Sequence, residues 1–176
     1  MSRNHKLAPI VAIAGVLSVG VVPMIGATKG STTPQWSVQV AEVEPGDVNL
    51  EPAFRIAIYE NLLEELTKSK HFKEVFRSGD RKAGSAADVL ILKVTVKSYT
   101  PGSETKRAVT TVAGATKLKV LSQLSTRDGK GVLERTVDGN VRFIGSNLRA
   151  THNLAHNVAK AIKDAQLPAS SGAGSD

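Results

Sequence analysis

The sequence predicts an α+β domain: a mostly antiparallel sheet with two helices packed on one face, a two-layer sandwich. Three observations predict it. Short runs in which apolar and polar residues alternate recur along the chain, as strands do. Two longer stretches carry apolar residues at three- and four-residue spacing, one before most of the strands and one after them. Arg127-Asp128-Gly129-Lys130-Gly131 joins two of the strands as a hairpin, because Asp-Gly tolerates the positive φ of a tight turn.

Trp36, Val38 and Val40 alternate with Ser37 and Gln39, a half-buried strand that Pro45-Gly46-Asp47 ends as a turn. A helix follows, with Pro52 tolerated in its first turn. Phe54, Ile58, Leu62 and Leu66, joined by Tyr59 and Leu63, form its apolar stripe. Glu60, Glu64 and Glu65 lie off the centre of that stripe, and Lys68 and Lys70 suit the negative end of the helix dipole. Phe72, Val75 and Phe76 begin a short strand stopped by Ser78-Gly79-Asp80, and Arg81–Ala87 reads as a polar loop.

Val89–Tyr99 is the clearest strand. Its first half, Val89 to Leu92, is apolar on both faces and belongs in the middle of the sheet. Its second half alternates, with Val94 and Val96 inward, until Pro101-Gly102 ends it. Thr105–Ala113 is ambiguous, since Ala113-Gly114-Ala115 reads as a bulge or kink. Strand character resumes at Leu118, Val120 and Leu124 and returns after the hairpin over Val132–Phe143, with a possible interruption at Asp138-Gly139-Asn140. The last helix runs from about Asn147 to Ala165, with Ser146 as its expected N-cap. Leu154, Val158, Ala161, Ile162 and Ala165 share its apolar face, and Pro168 lies beyond its end.

Ahead of this domain stands a different kind of segment. Arg3 and Lys6 precede Leu7–Ile25, which carries no charge, and Ile25-Gly26-Ala27 approximates a small-residue processing site. The apolar run approaches the roughly 20 residues that cross a bilayer. Pro23 near its end and the small residues after it favour a cleaved export signal, cut after Ala27, over an uncleaved anchor or a buried helix. The expected division is a signal peptide at 1–27, a linker at 28–34, one α+β domain at 35–168 and a disordered tail at 169–176. With the signal removed, 21 of the 23 basic residues remain against 16 acidic ones. The chain has no cysteine. Disulfides, thiolate chemistry and lipid attachment at a cysteine are therefore closed to it. The expected location is periplasmic or secreted and not lipid-anchored, with membrane contact only if the signal is retained.

Candidate chemistry is sparse. His152 and His156 sit four apart on the last helix, a spacing that brings two imidazoles together as in zinc sites. No glutamate lies between them to act as base, and Arg149, Lys160 and Lys163 lie on the same side, so a solvated basic face is the favoured reading. His71 falls at the end of the first helix, where it suits the dipole. There is no Gly-x-Ser-x-Gly elbow, and Gly129-Lys130-Gly131 lacks the third glycine of a dinucleotide loop. The aspartates 80, 88, 128 and 138 stand singly near turns. Lys93, Lys97, Lys117, Lys119 and Arg127 are spread along strands with few aromatics beside them, which disfavours nucleic acid as a partner. No cofactor is expected, and no residue is assigned to catalysis.

The run from Ala86 to Val94 (Ala-Ala-Asp-Val-Leu-Ile-Leu-Lys-Val), then Arg107, Gly114, Leu118–Leu124 and Asp128-Gly129-Lys130-Gly131, resembles the bacterial domain-of-unknown-function family 4410. The resemblance covers about Trp36–Ala165. The turn departs from the family's usual Thr-Gly-Lys, which bears on the hairpin register. The resemblance implies a small exported envelope protein, often a lipoprotein, with no established enzymatic role. It also implies a fold like the α/β domains of the curli secretion channel and of the lipoprotein activators of penicillin-binding proteins, which bind other proteins. Two expectations follow. The first is a non-enzymatic adaptor or accessory domain whose partner is another envelope protein, contacted through the edges of the hairpin or the basic face of the last helix. Lys117 and Lys119 could instead guard that edge. The alternative is a binding protein or hydrolase acting on an anionic envelope polymer or small ligand. The oligomeric state is left open.

Overall fold

The computed structural model describes residues 35–103, 105, 115–141 and 147–170. The expected export segment, its processing site at Ala27, the linker, Arg107, Gly114 and Ser146 all lie outside the described residues, as does the chain from 171 onward. No described helix is long and apolar enough to cross a membrane.

Five strands form one mixed sheet: β1 (Ser37–Val40), β2 (Val75–Phe76), β3 (Val89–Thr100), β4 (Thr116–Thr126) and β5 (Gly131–Val141), in the order β2-β1-β3-β4-β5. The three long strands pair antiparallel. The short β1 runs parallel to both its neighbours, Val38 opposite Val75 on one side and Leu90 on the other. β3 is central, as its doubly apolar first half requires. The hairpin forms where Asp-Gly places it, with Gly129 at φ +86° and the Thr126 N–H bonded to the Lys130 carbonyl at 2.9 Å.

The helices α1 (Pro52–Ser69) and α3 (Arg149–Asp164) cover one face. α1 buries the predicted stripe of Phe54, Ile58, Leu62, Leu63 and Leu66. α3 buries Leu154, Val158 and Ile162 together with the small Ala150, Ala155 and Ala159. Against them the sheet presents Val38, Val40, Leu90, Leu92, Val94, Val96, Leu118, Val120 and Leu124. Each such large side chain contributes about 1.5–3 kcal/mol by leaving water. The Trp36 indole N–H donates to the Pro168 carbonyl at 2.7 Å, and the Ser170 N–H lies 3.3 Å from Gln35 Oε1, so the chain from the end of α3 to Ser170 stays on the domain.

Four expectations need correction. Arg81–Ser85 is a short helix, α2, not a loop: the Asp80 carboxylate accepts from the Lys82 N–H at 2.9 Å and caps it. α2 sits on the other face, where Ala83 packs with Phe76 and Val89, which is why Val89 is apolar although it points away from the main core. Phe72 packs into the core outside β2. At the start of α3, Leu148 is the residue at the N-cap and bonds no helix N–H through its side chain; Thr151 turns its hydroxyl onto the Leu148 carbonyl at 2.6 Å. Finally, β5 is not interrupted at Asp138-Gly139-Asn140. Gly139 is there because α3 leaves no room: a Cβ would stand 2.5 Å from the Ala150 carbonyl oxygen and 2.5 Å from the Leu154 Cβ.

That contact generates a prediction. Gly139→Ala is expected to lower the free energy of unfolding by about 1–3 kcal/mol, the cost of overpacking against backbone. Gly131→Ala, at the start of the same strand, meets nothing within 4 Å and should be neutral to within about 0.5 kcal/mol. Urea unfolding of both variants checks the difference, and equal midpoints would contradict it.

Candidate functional site

β5 ends the sheet, and among the described residues no strand pairs with its outer side. Alternate residues of a strand aim their backbone groups to the same side. The carbonyls of Asp138 and Asn140 form part of the outward set, and both are occupied. Asn157 Nδ2 donates to Asp138 O and Asn153 Nδ2 to Asn140 O, each at 2.8 Å. Two asparagines four apart on α3 thus clasp the far half of the edge. Among the described residues the hairpin half has no such partner. The Glu134 carbonyl accepts from the guanidinium of its exposed neighbour Arg135, at 3.1 Å. Thr136, next in the outward set, is exposed.

Lys117 and Lys119 do not guard this edge. They lie on β4, an interior strand, where Lys119 faces Asp138 at 3.8 Å. Lys93, on the same face opposite α1 and α3, pairs with Glu44 at 2.8 Å. Arg127 turns to the Ala83 carbonyl of α2. The two asparagines were missed by sequence reasoning. Their signal is residue type, since asparagine is a poor interior helix residue unless its side chain is used.

The structure separates the two candidate histidines. His156 Nδ1 lies 3.1 Å from Glu65 Oε2, across the groove between α3 and α1. The Glu65 side chain is only 12% exposed, so it faces α3 and not solvent. Lys68 approaches its other oxygen at 3.4 Å while pairing with Glu64 at 2.6 Å. His152 is exposed one turn back, acts on Glu65 only through space, and does not line the shallow depression of about 290 Å³ formed by His156, Glu65 and three lysines. Among the described residues no three His, Asp or Glu side chains gather as a metal site would need. His71 is partly buried with its Nε2 unpartnered and its ring edge-on to Phe72. Burial and the nearby Lys163 hold its pKa down, which favours the neutral ring.

A third place was not singled out by any motif. β1, α1 and β2 form a parallel unit, and beyond the carboxyl ends of its strands lies an open depression of about 450 Å³. Glu42 and Val43 leave β1 on one side of it, and Arg77 and Ser78 leave β2 on the other. Pro52, Arg55, Ile56 and Tyr59 of α1 form its wall. Arg77 is held by both oxygens of Glu60, at 2.6 and 2.7 Å, and stacks over Tyr59 with 5.9 Å to the ring centroid. The Tyr59 hydroxyl accepts the Ser78 N–H at 2.7 Å. These residues lie up to 36 positions apart (42 to 78) and share no sequence pattern; the exposed Ile56 beside a cation is the only local hint.

Glu65 gives the second prediction. Burial alone would raise its carboxyl pKa, but hydrogen bonds from His156 and Lys68, with the charges of Lys68 and His152, outweigh burial and hold it below the ordinary glutamate value. A lowered folded pKa contributes stability above the unfolded value, about 4.3, and loses it as pH falls through the folded pKa. In a carboxyl-carbon NMR titration Glu65 is expected to titrate below a free glutamate and to move upward in His156→Ala. An unchanged titration in that variant would contradict the pairing.

No family model and no curated protein matches the chain, and the resemblance to family 4410 is not confirmed. Solved structures do match. The chain is similar to the PelC dodecamer from Paraburkholderia phytofirmans, with 14% identity, 69% of this chain and 84% of that chain covered, and a TM-score of 0.52. A single-residue variant of that dodecamer matches at 13% identity over 76% of this chain and 90% of that one, with a TM-score of 0.53. A minor lipoprotein from Acinetobacter baumannii is 19% identical over 76% and 97% of the two chains and superposes less closely, at 0.46. At these identities the likeness to PelC is one of fold.

Proposed function

We propose that this chain is an exported envelope domain that performs no catalysis and works through protein contacts, with the hairpin half of β5 as its contact edge. The observation that carries the reading is the divided edge. One half is closed by Asn153 and Asn157, while Glu134 and Thr136 present outward backbone groups that no other strand takes up among the described residues. An exposed strand edge accepts a partner strand through main-chain hydrogen bonds. The basic lead and uncharged run at the N-terminus support export. The fold is shared with proteins that assemble as dodecamers, which favours a further copy of this chain, or a related envelope subunit, as the partner.

The test replaces Thr136 in the full chain with a photo-crosslinking residue and irradiates cells or envelope extract. A discrete cross-linked species is expected, absent when the same residue is placed at Lys163 on the far end of α3. Thr136→Pro should abolish the species recovered with the cross-linker at Glu134 while leaving the melting temperature within a few degrees, since proline is tolerated where the strand N–H faces outward. Capture at Lys163 but not at residue 136 would overturn the reading.

A further inference from the structure

We propose that the cavity beyond the carboxyl ends of β1 and β2 binds a small amphipathic anion, a carboxylate or phosphate monoester head carried on an apolar body. The site is separate from the contact edge, since β2 and β5 are the two ends of the sheet. In open α/β arrangements the crevice beyond the carboxyl ends of parallel strands is a preferred ligand position. β1 and β2 are such a pair, and the space between their exits, about 450 Å³, is of the size that small-molecule sites occupy.

The head group is specified by Arg55. Its Nε is buried and has no hydrogen-bond partner, and no carboxylate among the described residues pairs with its guanidinium. A buried donor without an acceptor is unfavourable, and since Arg55 lines this depression, a turn of its side chain would bring the guanidinium onto an anion bound there. Arg77 does not compete for this role, because Glu60 already holds both ends of its fork. Tyr59 offers a second donor: its oxygen accepts the Ser78 N–H, which leaves its own hydrogen free to turn into the cavity.

The apolar body is specified by Ile56. It is 61% exposed, and Leu148 is the only other large hydrophobic side chain so uncovered among the described residues. Ile56 stands on the cavity wall beside Pro52 and Val43, where an apolar chain or ring would cover it. Glu42 is the opposing charge. It lines the rim but is exposed, so water and salt screen it more than the partly buried Arg55.

The test titrates sodium hexanoate, hexyl phosphate and hexanol into the isotope-labelled full chain while amide shifts are followed by NMR. At least one of the two anions is expected to shift the amides of Arg55–Tyr59, Arg77 and Ser78 saturably, and hexanol to bind about tenfold more weakly or worse. Whichever anion binds more tightly identifies the head group. Arg55→Gln should weaken that anion by about tenfold or more, and Glu42→Gln should tighten it. If Arg55→Gln does not fold, Ile56→Ser, at an exposed position, should show a comparable loss. The proposal is overturned if neither anion gives saturable shifts up to roughly 10 mM. It is equally overturned if hexanol matches the anions, or if a folded Arg55→Gln, or failing that Ile56→Ser, binds as the parent does.

Discussion

The close seat of α3 on β5 is the contact on which the rest of the molecule depends. Gly139 permits it: with a Cβ at that position the helix could not bring Ala150 and Leu154 against the strand. Once the helix is there, its small buried residues, Ala150, Ala155 and Ala159, become good core residues where larger ones would force it away. The same proximity puts Asn153 and Asn157 within reach of the strand's outward carbonyls. One glycine therefore seats a helix, brings that helix's buried face into the core and decides how much of a sheet edge is left open.

The sheet joins two kinds of construction. On one side the antiparallel β3, β4 and β5 make a long hairpin with an exposed face and an exposed edge, a shape suited to meeting other protein surfaces. On the other the β1-α1-β2 unit is parallel, so its loops diverge beyond the strand ends and border an open depression. Charge is distributed in keeping with this. The sequence carries a formal +7, but Lys93, Lys119, Lys68 and Arg77 each face a carboxylate, so these four cations form no concentrated positive field. Arg55 differs in facing no carboxylate partner among the described residues.

Much of the fold was legible in the sequence because it depends on local pattern. The stripe on α1, the alternation along β3 and the Asp-Gly turn each report a preference that the backbone then follows. The parallel pairing of β1 was not legible, since a four-residue strand carries no mark of its neighbours' direction. The interruption considered at Asp138-Gly139-Asn140 follows from glycine weakening a strand in isolation; only the helix packed above shows that space is the requirement. α2 escaped for a similar reason, a five-residue helix containing Gly84 and held by one aspartate cap. The candidate site was less legible still. The histidine pair drew attention through its spacing, yet His156 answers to Glu65, a residue 91 positions away. The asparagine clasp and the Arg55 cavity exist only once the helices are in place.

Amide hydrogen exchange at β5 is the most direct measurement of the divided edge. In the dissociated domain the outward N–H groups of Glu134 and Thr136 should exchange rapidly, and in the assembly recovered from the envelope they should become protected while the cavity residues of α1 do not change. Protection of Glu134 and Thr136 already present in the isolated domain, or no gain on assembly, would contradict the account.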